Sequence, residues 1–159
     1  MKTLFATALV MLMMLASTPT VCAYDGQIYL NPGFKLGYTF GNHGGFTYGF
    51  EVSVTTNFDN QQTAVWSGLV VGVDFCKDWT RLHTGVEASA MGFGFDVGPS
   101  FLYRNDTVSY GTSFIPFIGF GLYPYYNLSY FDNGFETREI GSYAKAGYLI
   151  SGDKIHIHM

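Results

Sequence analysis

The chain has 159 residues with 8 basic and 12 acidic side chains, a formal net charge of −4, 18% aromatic residues, 20 glycines and 2 cysteines. That balance excludes the basic stripe a nucleic-acid partner requires, and so few cysteines exclude a disulfide framework.

The first element is a leader. Lys2 precedes the apolar run Leu4 to Leu15 and a small-residue stretch ending Val21-Cys22-Ala23, the pattern of a secretory signal peptide cleaved after residue 23. Cleavage removes Lys2 and leaves 7 basic against 12 acidic residues. It also removes Cys22, so Cys76 has no intramolecular partner. The remaining residues 24–159 suffice for one domain. They hold no apolar run of the roughly 18 residues that a spanning helix needs.

Residues 28–41, IYLNPGFKLGYTFG, alternate strictly. Ile28, Leu30, Pro32, Phe34, Leu36, Tyr38 and Phe40 form one face, and small or polar residues form the other, the signature of a strand. A hairpin break at Gly41 to Gly45 leads to a second strand, with Phe46, Tyr48, Phe50, Val52, Val54 and Phe58 opposed by Thr47, Gly49, Glu51, Ser53, Thr55 and Asn57. A third carries Val65, Leu69, Val71, Val73 and Phe75. After Lys77-Asp78 a fourth sets Leu82, Val86 and Ala88 against Arg81, His83, Gly85, Glu87 and Ser89. A fifth sets Phe93, Phe95, Val97, Phe101 and Tyr103 against Gly94, Asp96, Gly98, Ser100 and Arg104. Residues 107–131 hold two strands, and the turn between them is expected near Leu122-Tyr123-Pro124. The eighth follows Asp132-Asn133-Gly134, with Ile140, Ala144, Ala146, Tyr148 and Ile150 on its apolar face. The phase flips after Ser151-Gly152-Asp153, so the tail is either a bulged end of strand eight or a ninth segment. The fold class is all-β, an antiparallel up-and-down barrel of eight strands with a polar, Gly-rich interior.

The apolar face carries a dozen aromatics before the sixth strand, and an eight-stranded barrel has room inside only for modest side chains. The Gly- and Ser-rich face therefore points inward and the apolar face meets lipid, which makes the barrel a transmembrane one. In this phase Lys35, Glu51, Asp74, Arg81, Glu87, Asp96, Arg104, Glu139 and Lys145 all point into the lumen. Five acids against four bases form a structural charge network, because buried charges must be paired.

Leader, alternating segments and polar lumen together resemble the small eight-stranded outer-membrane barrels of Gram-negative bacteria, the transmembrane-domain type of outer-membrane protein A. The resemblance is one of pattern and covers the whole mature chain. It implies residence in the outer membrane, contact with its lipid, and handling by the barrel-assembly machinery during biogenesis. It also puts the Gly41–Gly45, Cys76–Trp79, 104–107 and 132–136 connections outside the cell. One departure stands out: such barrels usually end on an aromatic residue, and this chain ends on Met159.

Chemistry-bearing residues are sparse. His156 and His158 share a strand face but lack a third ligand. Arg81, His83, Glu87 and Ser89 come from one strand, and His83 and Ser89 lie about 20 Å apart at about 3.3 Å per residue, too far for a triad. No catalytic, metal or cofactor site is expected. The function expected is that of an integral outer-membrane barrel with a structural, envelope role and no catalysis. The alternative is a barrel that binds or transports a small apolar ligand, for which inward Val70, Leu102, Ile115 and Phe117 offer a lining. A secreted lipocalin-like barrel or an envelope lipid hydrolase ranks below both.

Overall fold

The computed structural model describes residues 27–41, 43–57, 65–119, 121–150 and 157–158. The expected leader, His156, Phe58 and the Ser151-Gly152-Asp153 phase flip lie outside the described residues. Every element is a strand: β1 (Ile28–Phe40), β2 (Gly45–Asn57), β3 (Val65–Phe75), β4 (Thr80–Ala90), β5 (Phe93–Arg104), β6 (Thr107–Ile118), β7 (Leu122–Phe131), β8 (Glu136–Lys145), β9 (Gly147–Leu149) and β10 (Ile157–His158).

Each strand pairs antiparallel with the next, and β8 pairs back onto β1. The sheet is therefore closed. A path across the ladders runs from Leu30 to Val54, Leu69, Val86, Val97, Phe114, Leu128 and Arg138, and re-enters β1 at Phe40. That displacement along β1 is the stagger that tilts the strands, typically about 35–45° from the barrel axis.

β9 continues β8 without a change of register, since Gly33 faces Lys145 and Tyr29 faces Leu149. The break falls where Pro32, which has no N–H, lies against Ala146, whose own N–H still donates to the Pro32 carbonyl at 3.0 Å. The same cause interrupts two other seams. The β4–β5 pairing skips the residues opposite Pro99, and the β6–β7 pairing skips those opposite Pro116. Each proline sits on the outward face of its strand. Ile157 and His158 pair back on Tyr148 and Gly147, so the tail is a further segment and not an extension of the eighth strand.

Two turns are two-residue hairpins in the left-handed region: Met91-Gly92 (φ 52° and 82°) and Asn105-Asp106 (φ 47° and 58°). The β6–β7 turn is corrected to 119–121, earlier than expected, and Tyr123 and Pro124 lie within β7. Gly119 (φ 144°) and Gly121 (φ 77°) supply a backbone conformation that Leu122 and Tyr123 would adopt only with strain.

Burial follows the alternation. Outward side chains such as Phe46 and Phe93 are each 63% exposed, and the inward positions are mostly buried. Large inward rings are accommodated by glycines directly across the ladder: Gly72 faces His83, Gly94 faces Phe117, Gly111 faces Phe131 and Gly141 faces Tyr125. A Cβ on Gly94 would fall on the Phe117 ring, and one on Gly72 would fall on the His83 imidazole.

Candidate functional site: a charged plug between two cavities

Adjacent strands of the barrel bring inward charges to the same height. Lys35 on β1 holds Glu51 on β2 at 2.9 Å and Asp74 on β3 at 3.6 Å. Across the lumen, Arg81 Nη2 donates to Asp74 Oδ2 and to Glu139 Oε2, each at 2.7 Å, and Arg81 Nε donates to Asp74 at 3.1 Å. Its Nη1 donates to Thr137 at 3.0 Å and Ser129 at 3.3 Å. Tyr125 donates its hydroxyl to the other oxygen of Glu139. Lys145 on β8 reaches Glu51 at 2.5 Å and Glu87 at 2.7 Å. Its ammonium also lies 4.7 Å from the centre of the Tyr143 ring.

Eight of the nine expected lumen charges thus lie together: Lys35, Glu51, Asp74, Arg81, Glu87, Asp96, Glu139 and Lys145. Arg104 does not. As the last residue of β5 it sits at one end of the barrel, where Nη2 donates to an imidazole nitrogen of His43 at 2.7 Å and the guanidinium covers Phe135. Without it the cluster holds five carboxylates against three cations. His83, which alternation placed inward but not in the network, joins it with ring nitrogens 3.5 Å from Glu51 and 3.8 Å from Asp74. Neither His83 nitrogen makes a hydrogen bond.

Asp96 is the odd member. It is 2% exposed and neither carboxylate oxygen has a hydrogen-bond partner. Oxygens of Asp96, Glu51 and Glu87 lie within 4.8 Å of one another, the spacing of a metal-ligand set. Lys145 already bonds two of those three carboxylates, so an ammonium holds the place a metal ion would take.

The cluster closes the lumen. Lys35, Glu51, Asp74, Arg81, Glu139 and Tyr143 are each at most 1% exposed. On one side lies a cavity of about 430 Å³ bounded by Thr39, His43, Phe135 and Thr137. Here the β1–β2, β3–β4, β5–β6 and β7–β8 connections converge: Trp79 donates its indole N–H to the His43 carbonyl at 3.1 Å and packs with Leu102 and Phe131. Cys76 is half-buried against that packing. On the other side lies a cavity of about 440 Å³ whose walls include Tyr29, Trp66, Phe117 and Tyr123, with Glu87 and Lys145 at its floor. Of the four residues expected to line a pocket, Phe117 alone does so here. Leu102 belongs to the opposite end, Ile115 packs with Phe117, Tyr125 and Tyr143, and Val70 is fully buried in the interior.

These features define the class: an all-β, closed, eight-stranded antiparallel barrel with a charged plug. No protein-family model matches the chain, and no curated protein matches it. A solved structure from the de novo design of transmembrane beta-barrels is similar, with a TM-score of 0.42 and 15% identity over 74% of this chain and 94% of that one.

Proposed function

We propose that the protein is an integral outer-membrane β-barrel that serves the envelope structurally, without catalysis and without a continuous pore. The observation that carries this reading is the inversion of polarity. A belt of exposed Phe, Tyr, Leu, Ile and Val surrounds an interior of buried Lys, Arg, Glu and Asp, the arrangement that a low-dielectric exterior selects and water does not. Strand length agrees, since eleven residues at about 3.3 Å each, tilted about 40°, span about 28 Å, close to the apolar band of such barrels of about 25 Å. Closure of β8 on β1 pairs each of β1 to β8 on both sides, as a hydrocarbon environment demands. Tyr103 and Tyr130 are exposed near strand ends, where an interfacial girdle would place them, while Tyr126 is exposed in the middle of β7. The leader fits export, and the barrel-assembly machinery and membrane lipid are the partners this reading requires.

The test is fractionation with gel electrophoresis. The expected result is a band that stays in the membrane fraction and migrates differently before and after boiling. A soluble protein whose migration ignores heating would overturn the reading.

A further inference from the structure

We infer that the 440 Å³ cavity is a binding site for a small organic cation, an amine or quaternary ammonium carrying an apolar group. Its volume lies within the roughly 300–1,000 Å³ of small-molecule sites. Tyr29 and Trp66 stand edge to face at 4.7 Å on one wall, and Phe117 and Tyr123 at 5.7 Å on another. Such walls accept any flat or apolar group, and their ring faces also attract a cation.

The floor decides the sign of the charge. Lys145 would invite an anion if it were free, but its ammonium is already bonded to Glu51 and Glu87. Behind it lies Asp96, buried and without a partner for either oxygen, next to both of those carboxylates. Lys35 also holds Glu51 at 2.9 Å, so below the cavity three acids meet two ammonium groups and Asp96 is the acid left without a cation. An incoming carboxylate or phosphate finds Lys145 already engaged above a plug of five carboxylates and three cations, and an incoming ammonium meets Glu87 directly with Asp96 behind it. The tyrosines and Trp66 supply the ring faces that complete the recognition of a cation. This ligand class departs from the purely apolar one that the aromatic walls alone suggest.

The test uses the full protein purified in a maltoside detergent, whose headgroup carries no ammonium to compete. Calorimetric titration compares three probes sharing one ring: benzyltrimethylammonium, benzyl alcohol and benzoate. The expected order is the cation tightest, by at least tenfold over the other two. Asp96→Asn removes a carboxyl that makes no hydrogen bond and with it the capacity to ionise toward a bound cation, and is expected to weaken cation binding at least threefold while leaving benzyl alcohol unchanged. Trp66→Leu is expected to weaken the cation and the alcohol together. Equal affinity for cation and alcohol, tightest binding of benzoate, or no saturable binding of any probe would overturn the inference. The site depends on the closed barrel and not on its membrane, so a soluble protein that prefers the cation would sink the proposed location and leave this inference standing.

Discussion

Replacing Arg81 with Met tests whether the plug holds the barrel together. The guanidinium makes hydrogen bonds to Asp74, Glu139, Thr137 and Ser129 and is fully buried. Methionine has comparable length and no charge. Its introduction leaves Asp74 with Lys35 at 3.6 Å and the His83 ring at 3.8 Å, neither in a hydrogen bond, and Glu139 with the Tyr125 hydroxyl. Breaking a buried pair by removing one partner costs about 3–5 kcal/mol. The cost arises from the stranded carboxylates more than from the lost bonds, so Arg81→Met with Glu139→Gln should recover part of it, with a coupling of about 0.5–3 kcal/mol. Urea unfolding from phospholipid vesicles, followed by tryptophan fluorescence, measures both variants. A single variant within about 1 kcal/mol of the parent, or a pair whose costs simply add, would refute the argument that these charges depend on one another.

Other perturbations address the wall and its turns. Leu69→Arg points outward in mid-strand and should cost about 2–4 kcal/mol in vesicles, while Phe46→Arg beside a turn should cost about 0–1 kcal/mol; equal costs would mean that the outward face does not sense membrane depth. Gly72→Ala should destabilise by about 1–3 kcal/mol through overpacking, since the three atoms nearest its Cβ all belong to the His83 ring, and His83→Ala in the same chain should remove most of that cost in the same assay. Met91 adopts a left-handed conformation at φ 52°, so Met91→Gly should raise stability by about 1 kcal/mol; no gain would show that the turn carries no strain. Planar-bilayer recordings should show no steady open-channel current, because the six plug residues seal the lumen.

Much of the architecture is legible in the chain because a strand's side-chain period is two and lipid and lumen make opposite demands. Alternation alone assigns Lys35 and Glu51 to one face and Phe34 and Phe50 to the other. It carries no information about height along the barrel axis. Arg104 shares the phase of Asp96 on the same strand, yet it lies at the strand's end, because residues on one face are separated by the rise of the chain. His83 meets Glu51 only through the β2–β3 and β3–β4 registers, which bring both opposite Gly72. Those registers depend on turn geometry and on where prolines interrupt the ladders. The β6–β7 turn is a smaller case: Gly119, Gly121 and Pro124 all invite a turn, and the two glycines prevail because they tolerate positive φ. Pro124 fits within β7 because the β6–β7 pairing has already ended at Phe117 and Tyr125.

The plug is assembled from distant parts of the chain. Arg81 and Glu139, like Glu87 and Lys145, are 58 residues apart, and each pair forms only when late strands arrive beside early ones. A meander that entered the bilayer hairpin by hairpin would carry Arg81, Asp74 and Glu51 into hydrocarbon before Glu139 and Lys145 had been threaded. On the membrane reading proposed above, closure must therefore accompany or precede insertion, and the rate of insertion should be governed by the last strand and not by the first.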